Sequence, residues 1–383
     1  MRIGFCTRHD PLDKKSWSGL DYFLFQTLTK YCGEVIPLGP VHSPYFFLGK
    51  LINRFLRLFG QRSSTVHFLP SSKYYARVVG NRVEKGNFDL LFFAASSEIL
   101  AFLKVSDIPK VYFTDATFKL MDEYYQSFSD LAFFSHKWGN DIEQRAINQA
   151  DLLICSSHWA AQSVVDDYGA FSDDVHVLLC GANLQVLPER EEIFALQGKR
   201  QKTLNLLFVG GDWLRKGGDI AFDAMVQLNN RGIDARLIVC GDIPQSYVKH
   251  KKIISTGFLN RNDPTEFARF HQLYKDATIL FLPVRSECFG LTYAEASAYG
   301  LPIVSTATGG VPDYVDHMSN GYLLPEGSDA ASYADRIESL WTDRQKYRDF
   351  SRKSREKYEK ELNWEIWGTK MRMLLLRLVS DES

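Results

Sequence analysis

The stretch that decides the fold covers residues 204–219 and reads LNLLFVGGDWLRKGGD. It starts with the apolar run Leu204–Val209, passes through a loop with glycines at both ends, and leads into a helical pattern. The chain opens in the same way: the apolar run Arg2–Thr7, a polar loop to Ser18-Gly19, and a helical pattern from Leu20 to Tyr31. A strand–loop–helix unit of this kind opens a doubly wound α/β domain. The sequence therefore predicts an α/β protein with two Rossmann-like domains.

Other apolar runs fit the same plan in both halves. Further strands are predicted at 90–93, 111–113, 152–155, 175–179, 235–240, 253–255, 279–282 and 303–305. Helical patterns alternate with them, which favours parallel sheets. We interpret the strandless stretch 181–202 as a linker. The domains expected are 1–185, joined by a C-terminal helix at 366–383, and 186–365.

The composition excludes several classes of protein. Of 383 residues, 45% are hydrophobic, and 45 Lys and Arg balance 46 Asp and Glu, which argues against disorder and against a general nucleic-acid binder. The six cysteines lack metal-ligand spacing, which favours reduced thiols in a cytosolic protein. The longest apolar stretch, Leu90–Val105, is interrupted by polar residues, so no segment is predicted to span a bilayer.

The densest group of chemistry-bearing residues lies at 285–313. Glu287 follows a predicted strand, and Glu295 falls in the first turn of a helix for which Thr292 is the expected N-cap. Free N–H groups at such a helix start can bind a phosphate or a sugar hydroxyl. The structural alternatives are a capping box for Glu295 and a solvated loop charge for Glu287.

Two further loops add glycine and positive charge. Gly309-Gly310 permits close backbone approach and offers a second anion-binding concavity. Arg215 and Lys216 can neutralise a diphosphate, the first as a bidentate fork and the second as a point charge. An ordinary turn and a solvated basic loop are the alternatives. In the first half, Ser18-Gly19 provides another helix start or only a cap.

These residues together resemble the retaining glycosyltransferases of family 4, which have the GT-B fold. The matching residues are the two glutamates with Phe289-Gly290 between them, the Gly309–Asp313 loop and the Arg215–Gly218 loop. The likeness covers nearly the whole C-terminal half and, more weakly, the end of the N-terminal half. A C-terminal helix returning to the N-terminal domain belongs to the same expectation.

The resemblance implies a role for each matching position. Glu287 would contact the donor sugar, Glu295 the ribose hydroxyls, and Arg215 with Lys216 the donor diphosphate. The implied donor-binding set is Gly19, Arg215, Lys216, Cys288, Phe289, Gly290, Leu291, Glu295, Gly309 and Gly310. Gly19 would close on the donor from the other domain.

The sequence departs from the family pattern at two places. An arginine that often follows the first glycine of the strand-end loop is replaced by Gly211, so Arg215 is expected to substitute for it. A family histidine near the sugar is replaced by Thr114, which leaves Asp115 as the candidate, with a helix N-cap before 118–125 as its alternative. The catalytic set implied is Glu287, Asp115, Lys216 and Arg215.

The implied reaction moves a hexose from a UDP- or GDP-sugar to a hydroxyl of a carbohydrate or lipid-linked acceptor, as in polysaccharide biosynthesis. It retains the anomeric configuration and needs no metal or other cofactor. An epimerase of the same fold and an inactive binding subunit are the alternatives. A dehydrogenase would need G-x-G-x-x-G after a first strand, and neither opening strand has it. A two-carboxylate glycosidase would leave the cationic loop unexplained.

A basic amphipathic segment at 44–60 belongs to none of these motifs. The segment from Tyr45 to Lys85 contains eight Lys or Arg residues and a single acidic residue, Glu84. Three cations share one helical face, Lys50, Arg54 and Arg57, and four apolar residues share the adjoining one, Phe47, Leu51, Phe55 and Leu58. This pattern predicts contact with an anionic membrane and a peripheral position on its inner face, or presentation of a lipid-linked acceptor. The alternative is a helix packed on its own sheet with a solvated basic rim.

Overall fold

The computed structural model describes residues 1–198 and 202–381. The chain divides into two compact units. Unit 1 comprises Met1–Leu178 and the chain from Trp367 onward, and unit 2 comprises Leu179–Ile366. The sequence places this boundary at 185–186.

Unit 1 is an α/β unit built on one six-stranded sheet. Its strands are β1 (Arg2–Cys6), β2 (Glu34–Pro37), β3 (Leu90–Ala94), β4 (Lys110–Thr114), β5 (Leu152–Cys155) and β6 (Val175–Val177). Its helices are α1 (Leu20–Tyr31), α2 (Phe46–Leu56), α3 (Leu69–Val83), α4 (Ser97–Leu100), α5 (Phe118–Met121), α6 (Phe133–Gln149) and α7 (His158–Asp166). All the strands are parallel, in the order β2-β1-β3-β4-β5-β6.

Unit 2 contains a second six-stranded parallel sheet. Its strands are β7 (Leu204–Val209), β8 (Ala235–Cys240), β9 (Ile253–Gly257), β10 (Ile279–Leu282), β11 (Ile303–Thr306) and β12 (Gly321–Leu324). Its helices are α8 (Arg190–Gly198), α9 (Gly218–Asn230), α10 (Gln245–Val248), α11 (Pro264–Asp276), α12 (Leu291–Ala298), α13 (Val311–Tyr314), α14 (Ala330–Thr342) and α15 (Arg344–Lys360). The order β12-β11-β10-β7-β8-β9 is that of a Rossmann sheet.

The last helix, α16 (Trp364–Asp381), leads the chain from unit 2 back into unit 1. Trp367 is buried, and its ring meets those of Phe92 and Phe113 edge-on at 6.5 and 6.4 Å. Both phenylalanines come from strands that are buried along their whole length, as parallel strands covered on both faces are. The C-terminal helix therefore returns to the N-terminal unit, as predicted.

Two strands and one helix of the structure were not predicted from the sequence. β2 ends in Pro37 and β12 begins with Gly321, and both lie at the edge of a sheet, where short strands need fewer apolar residues. The predicted linker 181–202 contains α8, so it is not a structureless connection. Residues 199–201 of that stretch lie outside the described residues.

The predicted amphipathic segment forms α2 and a short 3₁₀ turn, Arg57–Phe59. Among the described residues of α2, only Gly49 is buried. The side chains of Phe47, Leu51, Phe55 and Leu58 are between 56% and 78% exposed. The alternative that this apolar face packs on its own sheet is therefore wrong. Among the described residues, no helix is long and apolar enough to cross a membrane.

Each sheet has one point where the strand order reverses direction. In unit 2 the reversal lies between β7 and β10, and in unit 1 it lies between β1 and β3. Ligands of doubly wound sheets bind outside the carboxyl ends of the strands at such a point. The loops that follow these four strands are therefore the places to examine for a site.

Candidate active site

Three loops meet at the carboxyl edge of the unit 2 sheet. They follow β7, β10 and β11 and contain Arg215, Glu287 and Gly310 respectively. The amide of Arg285 donates to the carbonyl of Arg215 at 2.8 Å, and the amide of Gly310 donates to the carbonyl of Glu287 at 3.2 Å. The structure thus brings together the three motifs that the sequence analysis singled out.

Glycine lets these loops approach so closely. Gly217 has a φ of +74°, and a Cβ placed on it would lie 1.9 Å from the carbonyl oxygen of Pro283. A Cβ on Gly290 would lie 2.3 Å from the ring of Tyr314. Neither neighbour is a flexible side-chain end that could move aside, so a larger residue would force the loops apart.

Two cations converge on one carboxylate in this loop cluster. The ammonium of Lys216 donates to Oε2 of Glu287, and Nη1 of Arg215 lies 3.5 Å from the same oxygen. Arg215 also donates from Nη1 to the carbonyl of Ser286 at 2.8 Å. Lys216 is buried and Glu287 is largely so. Both cations are therefore held in place by the protein, which is the condition for stabilising negative charge without reorganisation.

A second ion pair fixes the base of the cluster. Arg285 makes a bidentate contact with Asp219 in the first turn of α9, at 2.8 and 2.7 Å. Partial burial opposes ionisation of Asp219, but the hydrogen bonds and charge of Arg285 prevail and lower its pKa. The pair ties the loop after β10 to the helix after β7, and sequence reasoning did not identify it.

The start of α12 differs from the prediction. The helix begins at Leu291, and its N-cap is Gly290, so Thr292 lies inside the helix and the predicted capping box does not form. The first helical hydrogen bond runs from the amide of Ala294 to the carbonyl of Gly290 at 2.8 Å. Glu295 therefore lies in the second turn rather than the first, and its structural alternative as a capping residue is wrong.

Glu295 is instead held by two side chains from elsewhere in unit 2. Arg261 donates to Oε1 at 2.8 Å and to Oε2 at 3.4 Å, and the hydroxyl of Tyr274 donates to Oε2 at 2.7 Å. Burial, followed by the charge of Glu295, raises the pKa of Tyr274 well above its ordinary value, so the phenol keeps its proton. The sequence carries no spacing signal for these partners, since each lies on a separate element.

Gly19 and Asp115 lie in unit 1. Gly19 is the N-cap of α1 with a φ of +84°, and it follows two other left-handed residues, Trp17 and Ser18. Asp115 does not cap a helix, because the hydroxyl of Thr117 accepts the hydrogen bond from the amide of Leu120 at the start of α5. The N-cap alternative for Asp115 is therefore wrong, as is the expected length of that helix.

Asp115 lines a cavity of about 230 Å³ at the carboxyl ends of β1, β3 and β4. The other titratable side chains around the cavity are Arg8, His9, Asp21, His67, Glu98, Tyr112 and Glu143. We call this feature the unit 1 cavity. Among the described residues that line the cavity, only Asp115 was a catalytic candidate from the sequence, because the others come from separate strand ends and helices and form no contiguous motif.

The walls of the unit 1 cavity are paired internally. Arg8 lies 2.8 Å from Glu98, and Nδ1 of His9 lies 3.2 Å from Asp21. The hydroxyl of Tyr112 donates to Glu143 at 2.9 Å. Burial raises the pKa of Glu143 to about 7.

His67 forms another part of the wall of the unit 1 cavity. Its Nδ1 lies 3.1 Å from the hydroxyl of Ser64. Burial, followed by the charge of Arg8, lowers the pKa of His67 to about 3. This imidazole is therefore neutral near pH 7.

Two known protein families match the sequence of this chain. The family described as Glycosyl transferases group 1 matches residues 189–357, and Glycosyltransferase Family 4 matches residues 41–186. The chain belongs to glycosyltransferase family 4. The Arg215, Lys216 and Glu287 cluster and the Gly309-Gly310 loop lie within the first match, and the unit 1 cavity lies partly within the second.

Individual relatives agree with this family. A D-inositol 3-phosphate glycosyltransferase of Catenulispora acidiphila is 31% identical over 215 residues, covering 52% of this chain and 51% of the relative. The chain thus spans about half the length of the curated relatives that it matches.

Solved structures show that this family 4 member has the GT-B fold. Sucrose-phosphate synthase of Thermosynechococcus elongatus superimposes with a TM-score of 0.72 at 17% identity, over 99% of both chains. The Anabaena protein HepE in complex with UDP-glucose superimposes with a TM-score of 0.67 at 16% identity, over 100% of both chains.

Proposed function

We propose that this family 4 protein is a retaining glycosyltransferase that moves a hexose from a UDP- or GDP-sugar to a hydroxyl group of a carbohydrate or lipid-linked acceptor. The observation that carries the proposal is the pair of buried or half-buried cations, Lys216 and Arg215, gathered on Glu287 at the strand-order reversal of unit 2. HepE, by its description, binds UDP-glucose, which supports a nucleotide-sugar donor.

The proposed chemistry follows from the charges at this edge. The bond between the anomeric carbon and the β-phosphate oxygen breaks, and negative charge grows on the departing nucleoside diphosphate. Arg215 and Lys216 stabilise that charge where it forms. The acceptor oxygen bonds to the anomeric carbon from the same face, and its proton passes to a β-phosphate oxygen of the leaving group. No metal is required for these steps.

Other residues of the proposed donor site contribute through position. Glu287, with the backbone of Cys288, Phe289, Gly290 and Leu291, contacts the donor sugar. These residues precede and begin α12, and the first amides of a helix have no acceptor within the helix itself. Glu295, held by Arg261, is the proposed ribose contact, and Gly309-Gly310 forms the opposite rim.

Unit 1 is the proposed acceptor unit, and Asp115 in the wall of its cavity is the proposed catalytic carboxylate. Its α2 is also a proposed contact with an anionic membrane, because the helix exposes an apolar face beside Lys50, Arg54 and Arg57. Sedimentation with anionic vesicles at low salt tests this contact. The variant Lys50→Glu/Arg54→Glu should stay in the supernatant, whereas Lys73→Glu/Arg77→Glu on α3 should still sediment. Equal sedimentation of both variants would contradict the membrane contact.

A donor screen tests the transferase proposal. Thermal unfolding and hydrolysis are measured with UDP- and GDP-sugars on the wild type and on Glu287→Ala. We expect one nucleotide sugar to raise the melting temperature and to be hydrolysed slowly, and Glu287→Ala to lose the hydrolysis.

The matched control for this screen is Asp234→Ala. Asp234 is also a carboxylate paired with a lysine, Lys252, but it lies at the amino edge of the same sheet. If no nucleotide sugar stabilises the wild type, the transferase proposal is wrong. Conversion of the sugar without transfer would indicate an epimerase instead.

A further inference from the structure

The walls of the unit 1 cavity are more acidic than basic. Among the described residues that line it, four carry carboxyl groups, Asp21, Glu98, Asp115 and Glu143, and one carries a permanent positive charge, Arg8. The lining includes no lysine within the same described part of the chain. A site for a phosphorylated ligand normally shows the opposite balance, with arginine or lysine free to pair with the phosphate.

The single guanidinium is already engaged. Nε of Arg8 lies 2.8 Å from Oε1 of Glu98, and both side chains are largely buried. This pair leaves no surplus positive charge for a phosphate, whereas two cations, Arg215 and Lys216, share the carboxylate of Glu287 in unit 2. A phosphate that entered the cavity would also face Asp21 and Asp115, and like charges brought together in a buried site repel each other strongly.

Two oxygens of the wall require a hydrogen-bond donor. Oδ1 of Asp21 and Oε2 of Glu98 are buried and have no hydrogen-bond partner in the described protein. Both residues line the cavity, and their exposed fractions are 0% and 1%. Buried acceptors without partners are unfavourable and are usually satisfied. A sugar hydroxyl can donate to carboxylates of the wall, whereas the oxygens of a phosphate dianion can only accept.

We propose that the unit 1 cavity binds the acceptor as an uncharged polyhydroxyl ring, a sugar or cyclitol that carries no phosphate on the ring entering the cavity. The inference rests on the proposed transferase function and names its acceptor class. The cavity volume of about 230 Å³ suits one such ring, since sites for drug-sized ligands measure roughly 300–1,000 Å³. The relative from Catenulispora acidiphila is named for an inositol phosphate, so the proposal separates this chain from that relative.

The test compares matched acceptors on the full chain. Release of UDP from UDP-glucose, or of the nucleotide from the donor found in the screen, is measured with myo-inositol and methyl α-D-glucopyranoside. The same assay is run with myo-inositol 3-phosphate and glucose 6-phosphate, and with glucosamine as a cationic ring. Ligand-observed NMR on the same samples reports binding. We expect neutral rings to bind and to accelerate release about tenfold or more over their phosphorylated partners.

The contrary outcomes are distinct from failure of the transferase proposal. If the donor binds but phosphorylated acceptors are preferred, if glucosamine is preferred, or if no ring binds, the acceptor inference is wrong. If no nucleotide sugar binds at all, the transferase proposal fails first, and direct binding of the rings still tests the cavity.

A charge variant sharpens the test. Glu98→Gln removes one negative charge and releases Arg8, so the preference for neutral over phosphorylated rings should fall about tenfold. Glu84→Gln, at the exposed end of α3, removes the same charge away from the cavity and should keep the preference. An equal loss for both acceptor classes in Glu98→Gln would assign Glu98 a purely structural role and would contradict the inference.

Discussion

The two sheets present opposite charges at the same edge. At the carboxyl edge of unit 2, Arg215 and Lys216 gather on Glu287. At the carboxyl edge of unit 1, the described residues that line the cavity carry four carboxyl groups and a single guanidinium, that of Arg8. The doubly wound architecture thus determines where a ligand is held, and the loops determine its chemistry. A cationic edge suits a departing diphosphate, and an acidic cavity suits a hydroxyl acceptor.

Removing the buried cation of unit 2 should have the largest effect on this contrast. Lys216→Ala should lower the rate of glycosyl transfer about 10²–10³-fold, the usual cost of losing one preorganised electrostatic contact to a developing charge. Steady-state kinetics with the donor from the screen give the measurement. Lys252→Ala, which breaks an ion pair at the other edge of the same sheet, should retain nearly full activity. Similar losses in both variants would mean that the charge of Lys216 has no special role.

The next largest effect is expected for Asp115 at the carboxyl edge of the unit 1 sheet. Asp115→Asn keeps the size of the side chain but removes its charge, and we expect kcat/KM to fall about 10–100-fold, as for the loss of one charged hydrogen bond. Binding of UDP alone, measured by calorimetry, should stay unchanged because the proposed nucleotide site lies in unit 2. A parallel loss of UDP affinity would contradict the assignment of Asp115 to the acceptor unit.

Changing the shape of the second cation, Arg215, should have a smaller effect on kcat/KM. Arg215→Lys keeps the charge but loses the planar guanidinium that reaches both Ser286 and Glu287. We expect about a tenfold loss in kcat/KM, roughly the value of one hydrogen bond in the cluster. Wild-type kinetics in this variant would show that only the charge of Arg215 is used.

The smallest expected effect is on how the melting temperature depends on pH. The pKa of Glu143 is raised by burial from 4.5 to about 7, so the folded protein holds a proton that the unfolded chain releases. This contribution to stability is present below about pH 4.5 and is lost as the pH rises through about 7. Between pH 5 and pH 8 the melting temperature of Glu143→Gln should therefore fall less than that of the wild type. The exposed-site variant Glu84→Gln should follow the wild type, and identical pH profiles for all three proteins would contradict the raised pKa.

The sequence predicted unit 2 better than unit 1 for a physical reason. Arg215-Lys216 and Glu287 each lie in a short run directly after a buried strand, so hydrophobic patterning alone places them at one edge. The pair Arg8 and Glu98 joins the ends of two strands that are distant in the chain, and nothing in the local pattern marks it.

Details of element boundaries were harder to predict. Thr292 has the residue type of an N-cap, and a helix capped by it would begin at Tyr293. In the structure the helix begins two residues earlier, at Leu291, and its N-cap Gly290 lies close to the ring of Tyr314. The apolar face of α2 was visible in the sequence, yet only the structure shows that the protein leaves it exposed. Tertiary packing, which single-sequence patterns do not contain, decides both cases.

Hydrogen exchange with bound nucleotide tests the central division of labour most directly. Amide exchange is followed by mass spectrometry with and without UDP, and in parallel with GDP. We expect one nucleotide to slow exchange in residues 211–218, 286–294 and 308–311 of unit 2 and to leave exchange around the unit 1 cavity unchanged. Slowed exchange confined to the unit 1 cavity would contradict this expectation.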